Sequence, residues 1–374
     1  MCDRPAHLRR IALVLALLVL AGPACAEPSV RILDLPFKVR AMRGPRSEVA
    51  VSVATSGLLP IARAKADREG RPAGDEESAP IAVVWGEDGG AVLSLENGSV
   101  AAKPIGREAV EGLTAAETPR GALPATRRAL AGPVSAYLTG RARAPDGGPA
   151  AAVLTVRERL PMAVSAEPRP VTVATGTVPA GGEAVFSPER PRVLRLAGRP
   201  AFLAVTLDRA GTGGLALIAR PDSDPKAAWT VTARTSAETP PLRIAAIVGG
   251  PGPPRAATVD AGGLLRLWTL GPDRIERGGD ARGYAMGEGD ADLADAVATG
   301  GTPELALPVM GMPALAVVTL DTAKGSPPRE RLRVNLPAPA TIGIAALGEG
   351  PAVRLVIGLA DGRVAVVALD GGRP

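Results

Sequence analysis

The chain has 374 residues, 46% of them apolar, with 45 Gly, 38 Pro and a net charge of +5. Such apolarity excludes a disordered chain, and Gly or Pro every few residues excludes a helix bundle or a coiled coil. The length suffices for one large β domain or two smaller ones, each with a sizeable core.

The N-terminal segment has three parts. Arg4, Arg9 and Arg10 form a basic start, residues 11–20 an unbroken apolar run, and Ala24-Cys25-Ala26 a small-x-small cleavage site. Residues 1–26 therefore read as a secretory signal peptide, and residues 27–374 as the working domain, periplasmic or secreted. The apolar run is shorter than the roughly 20 residues that span a bilayer. Cys25 offers an alternative, a lipoprotein acylated at that residue, although Gly22 stands where such signals usually carry a Leu-like side chain. Only then would the protein meet a membrane. Cleavage removes Cys2, Cys25 and the single histidine, His7. Disulfides, thiolate nucleophiles, imidazole bases and Cys/His zinc sites are thereby excluded. It also removes three arginines and one aspartate, which lowers the net charge from +5 to +3. So weak an imbalance is a solvated surface, not a nucleic-acid footprint.

Beyond residue 27, short strand-like runs recur between Gly, Pro and Asp. Clear ones are residues 81–85, 91–95, 201–207, 215–219, 243–248, 256–260, 264–270, 314–320, 342–347, 354–359 and 363–369. Glu87-Asp88-Gly89-Gly90, Asn97-Gly98 and Ala360-Asp361-Gly362 carry tight-hairpin chemistry. Residues 108–116 form a short helix or a loop, and no window holds a longer 3.6-residue period.

The strands that open each group are residues 39–44, 81–86, 134–140, 201–207, 244–249, 294–300 and 342–348. Most starts lie about 42 to 53 residues apart, and a four-stranded propeller blade takes roughly 40 to 50. The expected fold is all-β, a propeller of about seven four-stranded blades. The last group (342–347, 354–359 and 363–369) lacks a fourth strand. The N-terminal run Val30-Arg31-Ile32-Leu33-Asp34-Leu35-Pro36 resembles the outer strand Leu332-Arg333-Val334-Asn335-Leu336-Pro337. It is expected to close the last blade and remove the free edge. Two stacked β-sandwiches are the rival architecture.

Phe186-Ser187-Pro188-Glu189-Arg190-Pro191-Arg192-Val193, the Gly198-Arg199-Pro200 turn, Gly301-Thr302-Pro303-Glu304-Leu305 and Gly358-Leu359-Ala360-Asp361-Gly362-Arg363 resemble blades of the VCBS/FG-GAP (integrin-like) propellers. The resemblance covers roughly residues 180–374. It implies a propeller, but not the family's calcium loop. Where the alternating acids would fall stand Ala296, Ala298 and Gly300, or Arg195, Leu196 and Ala197, or Gly249, Gly250, Pro251 and Gly252. These supply no set of oxygen ligands, so no metal or cofactor is expected. Leu265-Arg266-Leu267-Trp268 also resembles the Trp strand of WD-repeat propellers.

Five features are candidates for function. Glu288, Asp290, Asp292 and Asp295 form the acidic cluster, either a Ca²⁺ loop or a solvated connection. Trp85, Trp229 and Trp268 are stacking platforms or core residues. Asn97-Gly98-Ser99 is a glycosylation acceptor or, preferably, a hairpin turn. Arg329, Arg331 and Arg333 are a basic stripe or a charged outer strand that deters edge pairing. The Gly-rich residues 249–254 lack the Lys and helix of a phosphate loop. No catalytic constellation emerges. The expected role is a non-catalytic, monomeric binding or assembly scaffold for a periplasmic or envelope protein. The alternative is a hydrolase using paired carboxylates in the propeller channel.

Overall fold

The computed structural model describes residues 28–55, 80–160, 170–221, 224, 227–235, 240, 242–249, 252–285, 287, 289, 291–299, 301–320 and 325–370. The signal segment with Cys2, His7 and Cys25 lies outside them, as do Gly250, Pro251, Glu288, Asp290 and Gly300. Among the described residues no helix is long and apolar enough to cross a membrane.

The chain opens on strand β1 (Ser29–Leu33). Blade one follows as β2 (Ala41–Arg43), β3 (Ile81–Gly86), β4 (Gly89–Glu96) and β5 (Ser99–Ile105). Blade two is β6 (Ala129–Ala131), β7 (Val134–Arg143), β8 (Pro149–Arg159) and β9 (Val173–Pro179). The two-residue β10 (Val185–Phe186) bonds to both β8 and the second strand of the next blade. Blade three is β11 (Arg192–Leu196), β12 (Arg199–Leu207), β13 (Gly213–Ala219) and β14 (Thr230–Arg234). Blade four is β15 (Leu242–Val248), β16 (Arg255–Asp260), β17 (Leu264–Leu270) and β18 (Ile275–Arg282). Blade five is β19 (Asp295–Val297), β20 (Glu304–Pro308), β21 (Ala314–Thr319) and β22 (Arg329–Asn335). Blade six is β23 (Ala340–Leu347), β24 (Arg354–Leu359) and β25 (Val364–Ala368), with β1 as its fourth strand. Every pairing is antiparallel, and β1 runs along β25 from Ser29↔Ala368 to Leu33↔Val364. The protein is a β-propeller, and its N-terminal strand completes the last blade.

The described residues form four four-stranded sheets and one nine-stranded sheet, in which β10 joins the meanders of blades two and three, so six meanders stand where about seven were expected. The expected starts at Val39 and Ile81 belong to one blade. Between them the chain inserts helix α1 (Glu48–Thr55) after the inner strand β2. Residues 134–140 and 201–207 are second strands, whose inner partners β6 and β11 are short. A second helix, α2 (Arg107–Ala115), occupies the segment that read as helix or loop.

Five blade interfaces are filled by aliphatic side chains between facing sheets. Blade one differs on its other face. Val49, Ala50 and Val53 of α1 cover Ile81, Val83 and Val92, with Leu113 of α2 beside them. The Ser47 hydroxyl accepts the Ala50 N–H at 3.1 Å and caps α1. Between blades one and two, Arg43 Nε meets both Glu117 oxygens at 3.0 Å, and Arg128 pairs with Glu48. Helices and ion pairs thus replace a sixth sheet-to-sheet contact.

Turn chemistry sets the registers. Asn97 (φ 50°) and Gly98 (φ 79°) make the two-residue turn from β4 to β5, with Glu96 opposite Ser99. Asp208, Asp260 and Asp361 each accept a backbone N–H two residues on, at 2.9–3.0 Å. These hairpin acids hold turns.

Gly86 marks a close approach: a Cβ there would lie 1.9 Å from the Lys38 carbonyl oxygen. Gly86→Ala is expected to cost about 2 kcal/mol by forcing β3 from the entry to β2. Urea midpoints of the two proteins measure this.

Candidate functional site: the central channel

The inner strands follow one another around the axis as β2, β23, β19, β15, β11 and β6. Small residues let them converge. Ala129, Ala245, Ala246, Ala294, Gly44 and Gly249 all face a cavity of about 380 Å³. The charged lining groups are Arg46, Arg190, Arg192, Arg195, Asp292 and Asp295.

Asp292, just before β19, is the hub. Its carboxylate meets Arg127 Nη2 at 3.0 Å, Arg190 Nη2 at 3.1 Å and Arg192 Nη1 at 2.7 Å. Arg127 enters from the start of β6, and Arg190 and Arg192 from the start of β11. The Asp292 carbonyl accepts the Ile344 N–H of β23 at 2.8 Å. One residue thus joins blades two, three, five and six. Arg192 also donates to the Ile244 carbonyl at 3.0 Å, and Arg127 lies 3.9 Å from Glu117.

The charges do not balance. Burial pushes the Arg190 guanidinium well below its ordinary value; Asp292 pulls it back, and Arg127, Arg192 and Arg43 press it down again. Burial alone would raise Asp292, but Arg127, Arg190, Arg192 and Arg43 together hold it well below the usual carboxylate range. At neutral pH Asp292 is an ionised counter-ion shared among more cations than it can neutralise.

Arg46 lies across the channel. It follows β2 of blade one, yet it pairs with Asp295 of blade five and donates to the Ile247 carbonyl of blade four at 3.3 Å. Its side chain remains 51% exposed, so this bar is open to solvent. Asp295 also accepts the Ala346 N–H and the Ala296 N–H, each at 2.9 Å.

No protein-family model matches the sequence, and no curated protein matches it. Solved propellers are similar in structure. Trypanosoma rangeli sialidase in complex with 2,3-difluorosialic acid superposes with a TM-score of 0.42 at 12% identity, over 78% of this chain and 52% of that one. The Myceliophteria thermophila Cps50 (Swd1) propeller domain gives 0.47 at 10% identity, over 91% and 99%. Chaetomium thermophilum Sqt1, bound to the N-terminus of ribosomal protein L10, gives 0.42 at 14% identity, over 77% and 68%. The chain spans about half the length of the sialidase, 52%.

The structure sorts the sequence candidates. It brings Asp292 and Asp295 to the channel, where arginines and amides hold them. Among the described residues no group of three or more acids, Cys or His could hold a metal ion. Trp268 and Trp229 are core residues, 6% and 8% exposed, while Trp85 is half-buried under the Arg43 guanidinium at 5.1 Å. The Arg329–Arg333 stripe is the outer strand β22: Arg331 binds the buried Glu304 and Arg333 binds Glu330 at 2.7 Å. Gly249, Gly252 and Pro254 line the channel as plain backbone. Sequence reasoning missed Arg46, Arg127, Arg190 and Arg192. The available signal was Arg190-Pro191-Arg192, two cations leading into an inner strand.

Proposed function

We propose that this chain is a non-catalytic, periplasmic or secreted propeller that binds an acidic segment of an envelope protein in its central channel. The excess of guanidinium over carboxylate around Asp292 carries the reading, since one further anion would relieve the crowded arginines. Arg46 is the group such a ligand would take from Asp295. The hydrolase alternative needs a carboxyl that is protonated near neutral pH. Asp292 is held far from that state, and Asp295 already accepts from Arg46 and two amides. The signal-peptide pattern supports export; mass spectrometry of the mature N-terminus should find a free Glu27, and an acylated Cys25 would correct this to a lipoprotein.

A capped peptide of alternating Asp and Glu is the probe for the channel. Calorimetry should show binding that weakens with salt. Arg46→Ala should reduce affinity about tenfold, the loss of one charge-assisted contact. Equal binding by wild type and variant, or turnover of a glycan panel, would overturn the proposal.

A further inference from the structure

A second cavity, of about 550 Å³, lies away from the channel, where blades two, three and four meet. Its apolar walls are Leu196, Pro200, Pro221, Pro272 and the Trp229 ring. Its size is that of a ligand pocket, not of a packing gap. Trp229 is buried, with 8% exposure, and its ring packs on Phe202 at 5.6 Å between centroids. The Arg220 guanidinium lies 5.0 Å above the ring and is itself held by Glu158 at 2.5 Å. The indole is therefore fixed in orientation, and so is its N–H.

That N–H has no hydrogen-bond partner among the described residues, and neither does the buried hydroxyl of Thr232, which lines the same cavity. Trp268 shows what this fold does with a purely structural indole. It is equally buried, it also sits beneath an arginine, and its Nε1 donates to Thr258 Oγ1 at 2.8 Å. Two unused polar groups on residues that line one largely apolar cavity are a recognition pattern, because a buried donor without an acceptor is unfavourable until something supplies one.

We propose that this cavity binds an uncharged, extended, proline-containing peptide segment. An indole N–H only donates, so the ligand must bring an acceptor, and an extended chain without internal hydrogen bonds presents free carbonyls. The Thr232 hydroxyl takes the adjacent peptide group. Flat walls of proline and tryptophan suit prolyl rings. The Glu158–Arg220 pair neutralises itself, and the other charged lining residues, Arg199 and Asp273, are of opposite sign, so the cavity offers no net charge for an ionic ligand to match. This site is independent of the channel.

The probe is acetyl-Pro-Leu-Pro-amide, titrated into isotope-labelled protein. The Trp229 indole N–H resonance, assigned by its loss in Trp229→Phe, should shift to saturation while those of Trp85 and Trp268 stay in place. Trp229→Phe keeps an aromatic ring against Phe202 and removes the donor; Thr232→Val keeps the shape and removes the hydroxyl. Each should weaken binding about tenfold, as expected for one hydrogen bond, whereas Arg46→Ala should leave it unchanged. A Trp229 resonance that stays fixed up to the solubility limit of the probe would overturn the proposal. So would undiminished binding by both variants, or equal binding of acetyl-Pro-Asp-Pro-amide.

Discussion

Replacing Asp292 by alanine should cost about 3–5 kcal/mol of stability at neutral pH, the range for removing one partner from a buried ionic cluster. The side chains left behind are well enclosed: Arg127 is 5% exposed and Arg190 14%. Arg190 would face other guanidiniums without its carboxylate, and Arg127 would keep Glu117 at 3.9 Å. Asp292→Asn keeps the shape and separates charge from packing; it should lose nearly as much. The pH dependence has a definite sign. Folding lowers the Asp292 pKa below its ordinary value of 3.8, so the folded state favours the ionised form. Its contribution is complete above roughly pH 5 and fades as pH falls through 3.8 toward the lower folded value. Urea midpoints across this range should fall for the wild type and fall less for Asp292→Asn. An alanine variant within about 0.5 kcal/mol of wild type would mean that the arginines find other partners, and the hub would be wrongly assigned.

The same hub shows why the site was only half legible in the sequence. The acids 292 and 295 were visible because they lie three residues apart in one loop. Their arginines are not local: Arg127 and Arg190 stand 165 and 102 positions away. Only the ring closure brings them together, so an acidic loop that looked solvated is instead a neutralised one. The tryptophans show the opposite case. An apolar strand pattern around Trp268 was enough to place it in the core, because alternation reports burial directly. The blade count failed for a local reason. Inner strands β6 and β11 have three and five residues, too few for an alternating pattern to stand out. Their longer neighbours β7 and β12 read as the opening strands in their place, and β3 reads as one in addition to β2. Helix α1 is eight residues long with four buried positions, short enough to be read as part of a long connection. The consequence was one blade counted twice.

The closing strand is the other place where a local sequence feature predicts a large effect. Deleting residues 29–33 should destabilise the chain by on the order of 3 kcal/mol or more, from lost strand pairing and two lost apolar contacts. Ile32 packs into the core between blades five and six, and Leu33 into the core between blades six and one. The five residue pairs of β1 with β25 would disappear with them. Without β1, the Val364–Ala368 strand would become a bare edge. All five of its residues are buried in the intact protein, and none is charged. An apolar, unguarded edge is a template for pairing with another chain, so the truncated protein should aggregate as well as melt early. The entry to blade one would loosen too, since the Val39 N–H donates to the Gly362 carbonyl at 2.8 Å beside the same strand. A synthetic peptide of residues 28–37 added in trans separates closure from general damage. If β1 acts by completing the sixth blade, the peptide should restore the midpoint in a saturable way and suppress aggregation. A truncated chain that melts like the full one would place the ring's stability in the Arg43–Glu117 and Arg128–Glu48 junction instead, and Arg43→Ala would then become the decisive variant.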